Sequence, residues 1–208
     1  EEALKLKDND STINITVISL GPERVKKSLT KTLAMGADEA LHIETDEVID
    51  DCINIAKIIA GEIKKNQYDL ILFGKKSVDQ DNNQVGIMIG ELNNISCISN
   101  CSEFRIDGNK IIANREVEGS VEVFESELPA IITHEKGKNE LRYPSLKDLM
   151  AAKKKPINTV KNEAGKDKKS ELIKLEYPEK REEGVIIGEG KSAVTELVRI
   201  LREEKKII

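Results

Sequence analysis

Tryptophan is absent from the 208 residues, and three phenylalanines with three tyrosines bring the aromatic share to only 3%. Proteins that hold single-stranded nucleic acid stack its bases on such rings, so that class is disfavoured. An excess of positive charge is missing as well. The 33 Lys and Arg residues face 38 Asp and Glu, a net charge of -5, which argues against nucleic acid as the main partner. Cysteine is scarce and odd in number: Cys52, Cys97 and Cys101. A chain this long does not depend on disulfide staples, so an odd count reads as a reducing compartment. With His42 and His134 as the other soft ligands, these residues lack the close four-ligand spacing of zinc, and no metal is expected. No Ser or Cys lies in a G-x-S-x-G elbow, so no catalytic residue is expected either. No run approaches the ~18 apolar residues of a membrane span. The opening "EEALKLKDND" has no Met, signal or presequence, and the expectation is that it is not the native start.

What is present is a 38% hydrophobic composition, enough for one substantial domain with an appendage. Residues 1–7 have helical spacing. "INITVISLG" (Ile13 to Gly21) predicts a strand, followed by Pro22 at a helix start and an amphipathic run ending at Gly36. "EALHIE" predicts a short strand, and Val48 to Asn66 a helix with Ile49, Cys52, Ile53, Ala56, Ile59, Ala60 and Ile63 on one face. "YDLILFG" has the continuous apolar character of a parallel strand covered on both sides, and a helix follows. This alternation implies an α/β fold with a doubly wound, mostly parallel sheet. Beyond Asn94 the helices stop: a hairpin turning at Asp107-Gly108-Asn109, a further strand "VEVFESEL" and the apolar "PAIITHE" extend the sheet with antiparallel strands. "YPSLKDLMAAKKK" predicts a short helix with Ser145 as N-cap. Asn158 to Glu183 is polar and without period, which predicts an extended connection, and the chain closes with a brief apolar strand and a helix carrying Ala193, Leu197, Ile200 and Leu201. The division is therefore 1–157 as the α/β domain and 158–208 as a C-terminal arm.

The stretch "GKKSVDQDNNQVG" lies where open α/β sheets bind ligands, between the carboxyl end of a strand and a helix N-terminus. Its backbone N–H groups and the positive helix end near Asn83 to Gly86 suit a phosphate. Asp79 and Asp81 would repel one, and are assigned to capping, turn hydrogen bonds or ribose hydroxyls. The alternative is a long Asx-rich N-cap with no ligand. "GEGKS" (Gly188 to Ser192) approximates the end of a P-loop, but the glycine that motif requires falls at Gly184 rather than at Val185, one residue out of place. A glycine turn with Ser192 capping the last helix is the favoured reading.

Several stretches together resemble one family, the beta subunit of electron transfer flavoprotein: "KTLAMGADEALHIE", "GKKSVDQDNNQVG", "NREVEGSVEVFESELPAIITHEKGKNELRYPSLKDLMAAKKK" and "GEGKSAVTELVRILREE". The likeness covers nearly the whole chain in family order. It implies an adenine-nucleotide-binding, Rossmann-like fold and a non-catalytic partner in a heterodimer whose alpha subunit holds most of the FAD. Acyl-CoA dehydrogenases and related flavin dehydrogenases would deliver electrons to that flavin, which passes them to a quinone oxidoreductase. The resemblance further implies a buried AMP wrapped by the segment from Gly74 to Val85, with Asn82, Asn83, Gln84 and Val85 on its phosphate side, Gly74, Lys75, Asp79 and Asp81 as the other loop residues of the site, and Leu20 at another nucleotide position. Many relatives have Thr where this chain has Val85, and the family's first strand is missing ahead of "EEALKLKD". Leu146, Leu149 and Met150 fall in the family's dehydrogenase-docking loop; from the residues alone, Leu146 and Leu149 would pack the helix on its own sheet. Relatives often carry Lys after the methionine, where this chain has Ala151. Glu116 matches an acid that pairs with the mobile flavin domain, and the C-terminal arm would reach the alpha subunit. The implied compartment is a mitochondrial matrix, or the cytoplasm of a bacterium. Two rivals remain: a flavin-bifurcating relative with a second FAD in place of AMP, which tends to carry "GDTAQVGP" in the loop, and an ATP-using enzyme of the same broad fold.

Overall fold

The computed structural model describes residues 1–46, 49–135, 139–161, 169–181 and 183–208. Helix α1 (Glu2–Asn9) is followed by strand β1 (Thr16–Gly21), a 3-10 turn over Glu23–Val25, helix α2 (Lys26–Met35) and strand β2 (Glu39–Glu44). Helix α3 (Cys52–Ile63) then leads to strand β3 (Leu70–Gly74) and helix α4 (Val85–Asn93). Four strands follow: β4 (Ser96–Asp107), β5 (Lys110–Val117), β6 (Ser120–Glu127) and β7 (Ala130–His134). Helix α5 (Leu146–Ala152) and strand β8 (Asn158–Lys161) complete a first compact unit, residues 1–172. The second unit, 173–208, contains helix α6 (Ala193–Arg199), continued by a π turn over Ile200–Glu204.

The expected mixture of parallel and antiparallel strands is present, but the single sheet divides in two. Strands β1, β2 and β8 form a parallel sheet, and a five-stranded sheet has the order β3-β7-β4-β5-β6. In the latter β3, β7 and β4 are parallel, while β4-β5-β6 is an antiparallel meander. The division falls between β1 and β3, each of which has a single sheet partner. A cavity of about 380 Å³ separates them, lined by Ile15, Val17, Ile18, Tyr68, Ile71 and Phe73 among others. These β-branched and aromatic edges are left half-buried, although their sequence has the all-apolar pattern of central parallel strands.

Three sequence expectations are corrected from Asn158 onward. Asn158 begins a strand, not a connection: β8 pairs in parallel with β2, Leu41 opposite Asn158 and Ile43 opposite Val160. Its four residues expose all but Val160, so hydrophobic periodicity gave no sign of it. The apolar "VII" at 185–187 forms no strand, and Val185 and Ile186 lie exposed. Nor does Ser192 cap α6; its hydroxyl donates to the Glu189 carbonyl at 3.1 Å. Residues 162–168 and 182 of the predicted arm, and the predicted start of α3 at Val48, lie outside the described residues.

The core of the larger sheet is β7, whose Ala130, Ile131 and Ile132 are fully buried. Helix α4 lies on it at unusually short range because two positions one turn apart lack side chains. A Cβ on Gly86 would sit 2.8 Å from Thr133 Cγ2, and one on Gly90 2.9 Å from Cys97 Cβ and 3.1 Å from the Ile95 carbonyl. Gly61, inside α3, has nothing within 4 Å of its ideal Cβ. The two sites therefore respond oppositely to the same change. Gly61→Ala is expected to stabilise the unit by about 0.5–1 kcal/mol, because alanine restricts the unfolded chain and favours helix. Gly90→Ala is expected to destabilise it by roughly 1–3 kcal/mol through overpacking. Urea unfolding of the two variants checks both signs.

Candidate functional site

Strand β3 ends at Gly74, and the ten residues 75–84 carry the chain to α4. The loop is shaped by its own polar side chains. The Asp81 N–H donates to the Ser77 carbonyl at 3.1 Å, and Asp79 accepts from the Gln80 N–H at 3.0 Å. The Ser77 hydroxyl, and then that N–H, hold the Asp79 carboxyl below the ordinary aspartate range. Asp81 and Asn83 adopt left-handed backbone at φ 55° and 49°. Asp and Asn tolerate this region better than most side chains, which explains part of the polar composition. Asp81 also pairs with Lys76, and Lys75 with Glu135, so both lysines of "GKK" are already neutralised.

The loop is anchored at two points on the unit. Asn82 Nδ2 donates to Cys52 Sγ at 3.1 Å, at the first turn of α3. Asn83 Nδ2 donates to Asn100 Oδ1 at 3.0 Å. Asn100 sits at an irregularity of β4, itself left-handed at φ 58°, with its N–H donating to Thr133 Oγ1 at 2.9 Å. The opposite end of the Asn83 amide, Oδ1, is buried and has no hydrogen-bond partner among the described residues.

Gln84 is the N-cap of α4 but makes no side-chain capping bond, and the first turn contains no acid. The N–H groups of that turn are thus orphan donors at the positive end of the helix. The arrangement offers backbone donors and a helix end to an anion and one buried acceptor to a ligand hydroxyl or amine. Of the predicted site residues, Gly74, Lys75, Asp79, Asp81, Asn82, Asn83, Gln84 and Val85 all belong to this one segment. Leu20 is the penultimate residue of β1, in the other sheet.

The remaining predicted contacts lie on other faces. Glu116 stands exposed on β5 opposite Val121 of β6, and Val121 and Val123 are exposed beside it. On α5, Leu146 and Met150 face solvent at 76% and 61% exposure, whereas Leu149 packs against the cluster of Leu29, Leu33 and Ala37. Leu149 is thus half-buried against that cluster while its two neighbours on the helix are exposed, because α5 turns one side to α2. A capping box starts the helix, Ser145 Oγ accepting the Asp148 N–H at 3.2 Å while Asp148 accepts the Ser145 N–H at 3.1 Å. Just ahead, Arg142 bonds Glu1 at 2.9 Å and Asp8 at 2.7 Å, fixing the segment to α1.

Sequence reasoning missed Arg142, Asn100 and Asp51. The Asp51 carboxylate caps α3 through the N–H groups of Ile53 and Asn54, at 3.0 and 3.4 Å, and also accepts those of Lys169 and Ser170. These bonds, that from the Lys169 N–H first, depress its pKa. An Asp before an apolar helical run signals such a cap, but none of the three long-range partners has a local signature. For the loop itself, Asn83→Gly is expected to cost about 1 kcal/mol through the lost bond to Asn100, and Asn83→Ala about 1–2 kcal/mol more through left-handed strain. Comparing the two denaturation midpoints separates backbone from side chain.

The family model described as "Electron transfer flavoprotein domain" matches residues 1–164. The chain is 36% identical over 217 residues to the electron transfer flavoprotein subunit beta of Bacillus subtilis, covering all of this chain and 84% of that protein. It is 33% identical over 208 residues to the Bos taurus protein of the same name, covering 97% of this chain and 82% of that one. Against a mitochondrial electron transfer flavoprotein subunit beta from Arabidopsis thaliana it is 35% identical over 213 residues, 100% and 83% of the two chains. Similarity of this extent spans the loop, α5 and the C-terminal helix alike, and the chain belongs to the electron transfer flavoprotein family, among its beta subunits.

Proposed function

We propose that this chain is the beta half of an electron-carrying heterodimer, holding AMP at the loop between β3 and α4. The observation that carries the reading is the uncapped start of α4 behind a loop of two left-handed residues. With Lys75 and Lys76 engaged by Glu135 and Asp81, the phosphate falls to backbone donors from Asn82 to Val85, while Asn83 Oδ1 is free to accept from the ligand. Val85 contributes its N–H, having no hydroxyl. The isoalloxazine chemistry belongs to an FAD held mainly by an alpha subunit, and AMP is structural. Among the described residues β1 and β3 each have one apolar side without a paired strand, and a further strand laid between them would join the two sheets into one doubly wound sheet. The second unit supports attachment to an alpha subunit: Ile173, Leu175, Tyr177, Val185 and Ile186 are each at least 84% exposed and lack an interior of their own. All three cysteines are free, in keeping with a reducing compartment such as a mitochondrial matrix or a bacterial cytoplasm. No helix among the described residues is long and apolar enough to cross a membrane.

Electrons would arrive from a flavin dehydrogenase docked at Leu146, with Met150 beside it, and leave to a quinone oxidoreductase after the flavin domain has swung past Glu116. An exposed leucine on a capped helix is an inexpensive anchor for a short-lived complex.

Gln84→Glu tests the nucleotide site without breaking the helix, because an acid at a helix N-terminus is favourable while its charge repels phosphate. AMP released from the purified heterodimer is expected to fall from one equivalent to less than about a tenth, with FAD retained. Full AMP occupancy would place the nucleotide elsewhere, and two FAD in the unaltered protein would identify the bifurcating type. At the docking helix, removing a pocketed leucine costs roughly 1.5–3 kcal/mol, tenfold or more in affinity. Leu146→Ala is therefore expected to slow electron acceptance at subsaturating dehydrogenase by about tenfold or more, with an unchanged melting temperature. A lowered melt with a normal rate would assign Leu146 to folding instead.

A further inference from the structure

We propose that Glu23, His42 and Glu44 form a binding site for one divalent transition-metal ion of the zinc type, at the carboxyl ends of β1 and β2. A ring nitrogen of His42 and one carboxylate oxygen from each glutamate lie within 4.8 Å of one another. The chain builds this cluster simply. His42 and Glu44 are two apart on β2 and share a face, and the parallel register sets Gly21 opposite Glu44. The turn after Gly21 then brings Glu23 over them. That turn needs glycine: φ is +150°, and a Cβ would stand 3.0 Å from Val25 Cγ1.

The imidazole points to a ligand independently of the acids. His42 is fully buried, and its Nε2 lies 2.8 Å from the Gly21 carbonyl oxygen. A carbonyl only accepts, so Nε2 carries the proton and Nδ1 carries the lone pair. Nδ1 is buried with no hydrogen-bond partner among the described residues. One ring nitrogen fixed on a backbone carbonyl and the other left bare is the usual state of a metal-ligating histidine. A buried acceptor without a donor is otherwise unfavourable. Glu23 pairs with Lys26 at 2.9 Å and its side chain is 71% exposed, which gives a hydrated ion a point of entry. Two carboxylates and an imidazole, with water completing the shell, suit zinc, manganese or cobalt better than calcium or magnesium, which take oxygen ligands alone. No proton has to leave Nδ1, so occupancy needs no reaction partner.

This site is separate from the nucleotide loop, and its test reads metal, not electron transfer. Purified heterodimer stripped with a chelator and titrated with Co²⁺ is expected to take up one equivalent at this site. The visible bands should be those of nitrogen and oxygen ligands, without the intense thiolate charge-transfer band of a cysteine site, and Zn²⁺ should displace the ion. Glu23→Gln and Glu44→Gln, both at accessible carboxylates, should each weaken Co²⁺ binding by about tenfold or more while leaving the melting temperature of the metal-free protein and its AMP content unchanged. Absence of saturable binding, a thiolate band as the only signal, or affinity indifferent to both substitutions would overturn the assignment.

Discussion

The first unit depends on the contact between α4 and β7. Strand β7 is sealed on both sides by β3 and β4, and Ala130, Ile131 and Ile132 retain no solvent exposure. A helix can approach such a strand closely only where it presents no side chain, and Gly86 meets that condition against Thr133 of β7, while Gly90 does the same against Cys97 of the neighbouring β4. The start of α4 is consequently set by packing in the core, not by a capping side chain. Its free N–H groups are held at the carboxyl end of β3 by interactions that a ligand need not supply, which is preorganisation in the strict sense. The hydroxyl of Thr133, on the same strand, extends the arrangement by receiving the Asn100 N–H, and Asn100 in turn positions Asn83.

Much of this was legible from the sequence, for identifiable reasons. Apolar runs marked β1, β3 and β7; Asp107 to Asn109 marked the hairpin; Ser145 marked the start of α5. The polar loop was recognisable because Asp and Asn at 79–83 follow an apolar strand and precede a helix. What escaped lacked a local signature. Strand β8 shows only Val160 to the interior, so its identity comes from β2 and not from its own four residues. Leu146 and Leu149 look equivalent in one dimension, and only the side of α5 that meets α2 distinguishes surface from core. Cys52 and Asn100 touch the loop from 30 and 17 residues away. The second unit misled because "VII" has the composition of a strand yet finds no partner strand among the described residues.

Under the proposed function the unit would divide its work by chemistry. A small anion would meet backbone N–H donors, which are rigid and uncharged, at the start of α4. A brief protein contact would fall to a single leucine and a methionine on a well-capped helix. A mobile domain would meet a glutamate on an exposed sheet face bordered by Val121 and Val123.

The clamp on Arg142 has a consequence for how the docking helix comes into being. Its guanidinium holds Glu1 and Asp8 across sequence separations of 141 and 134 residues. Contacts of that span form late, since long loops must close first, and the parallel pairings of β1 with β2 and of β3 with β7 share the same delay. Helix α5 can form its own capping box early, but its direction is fixed only once α1 and the segment before Ser145 have met. Under the proposed docking, a nascent or misfolded chain would present Leu146 without the orientation a dehydrogenase partner requires, so competence to receive electrons would be conditional on completed folding of the whole unit.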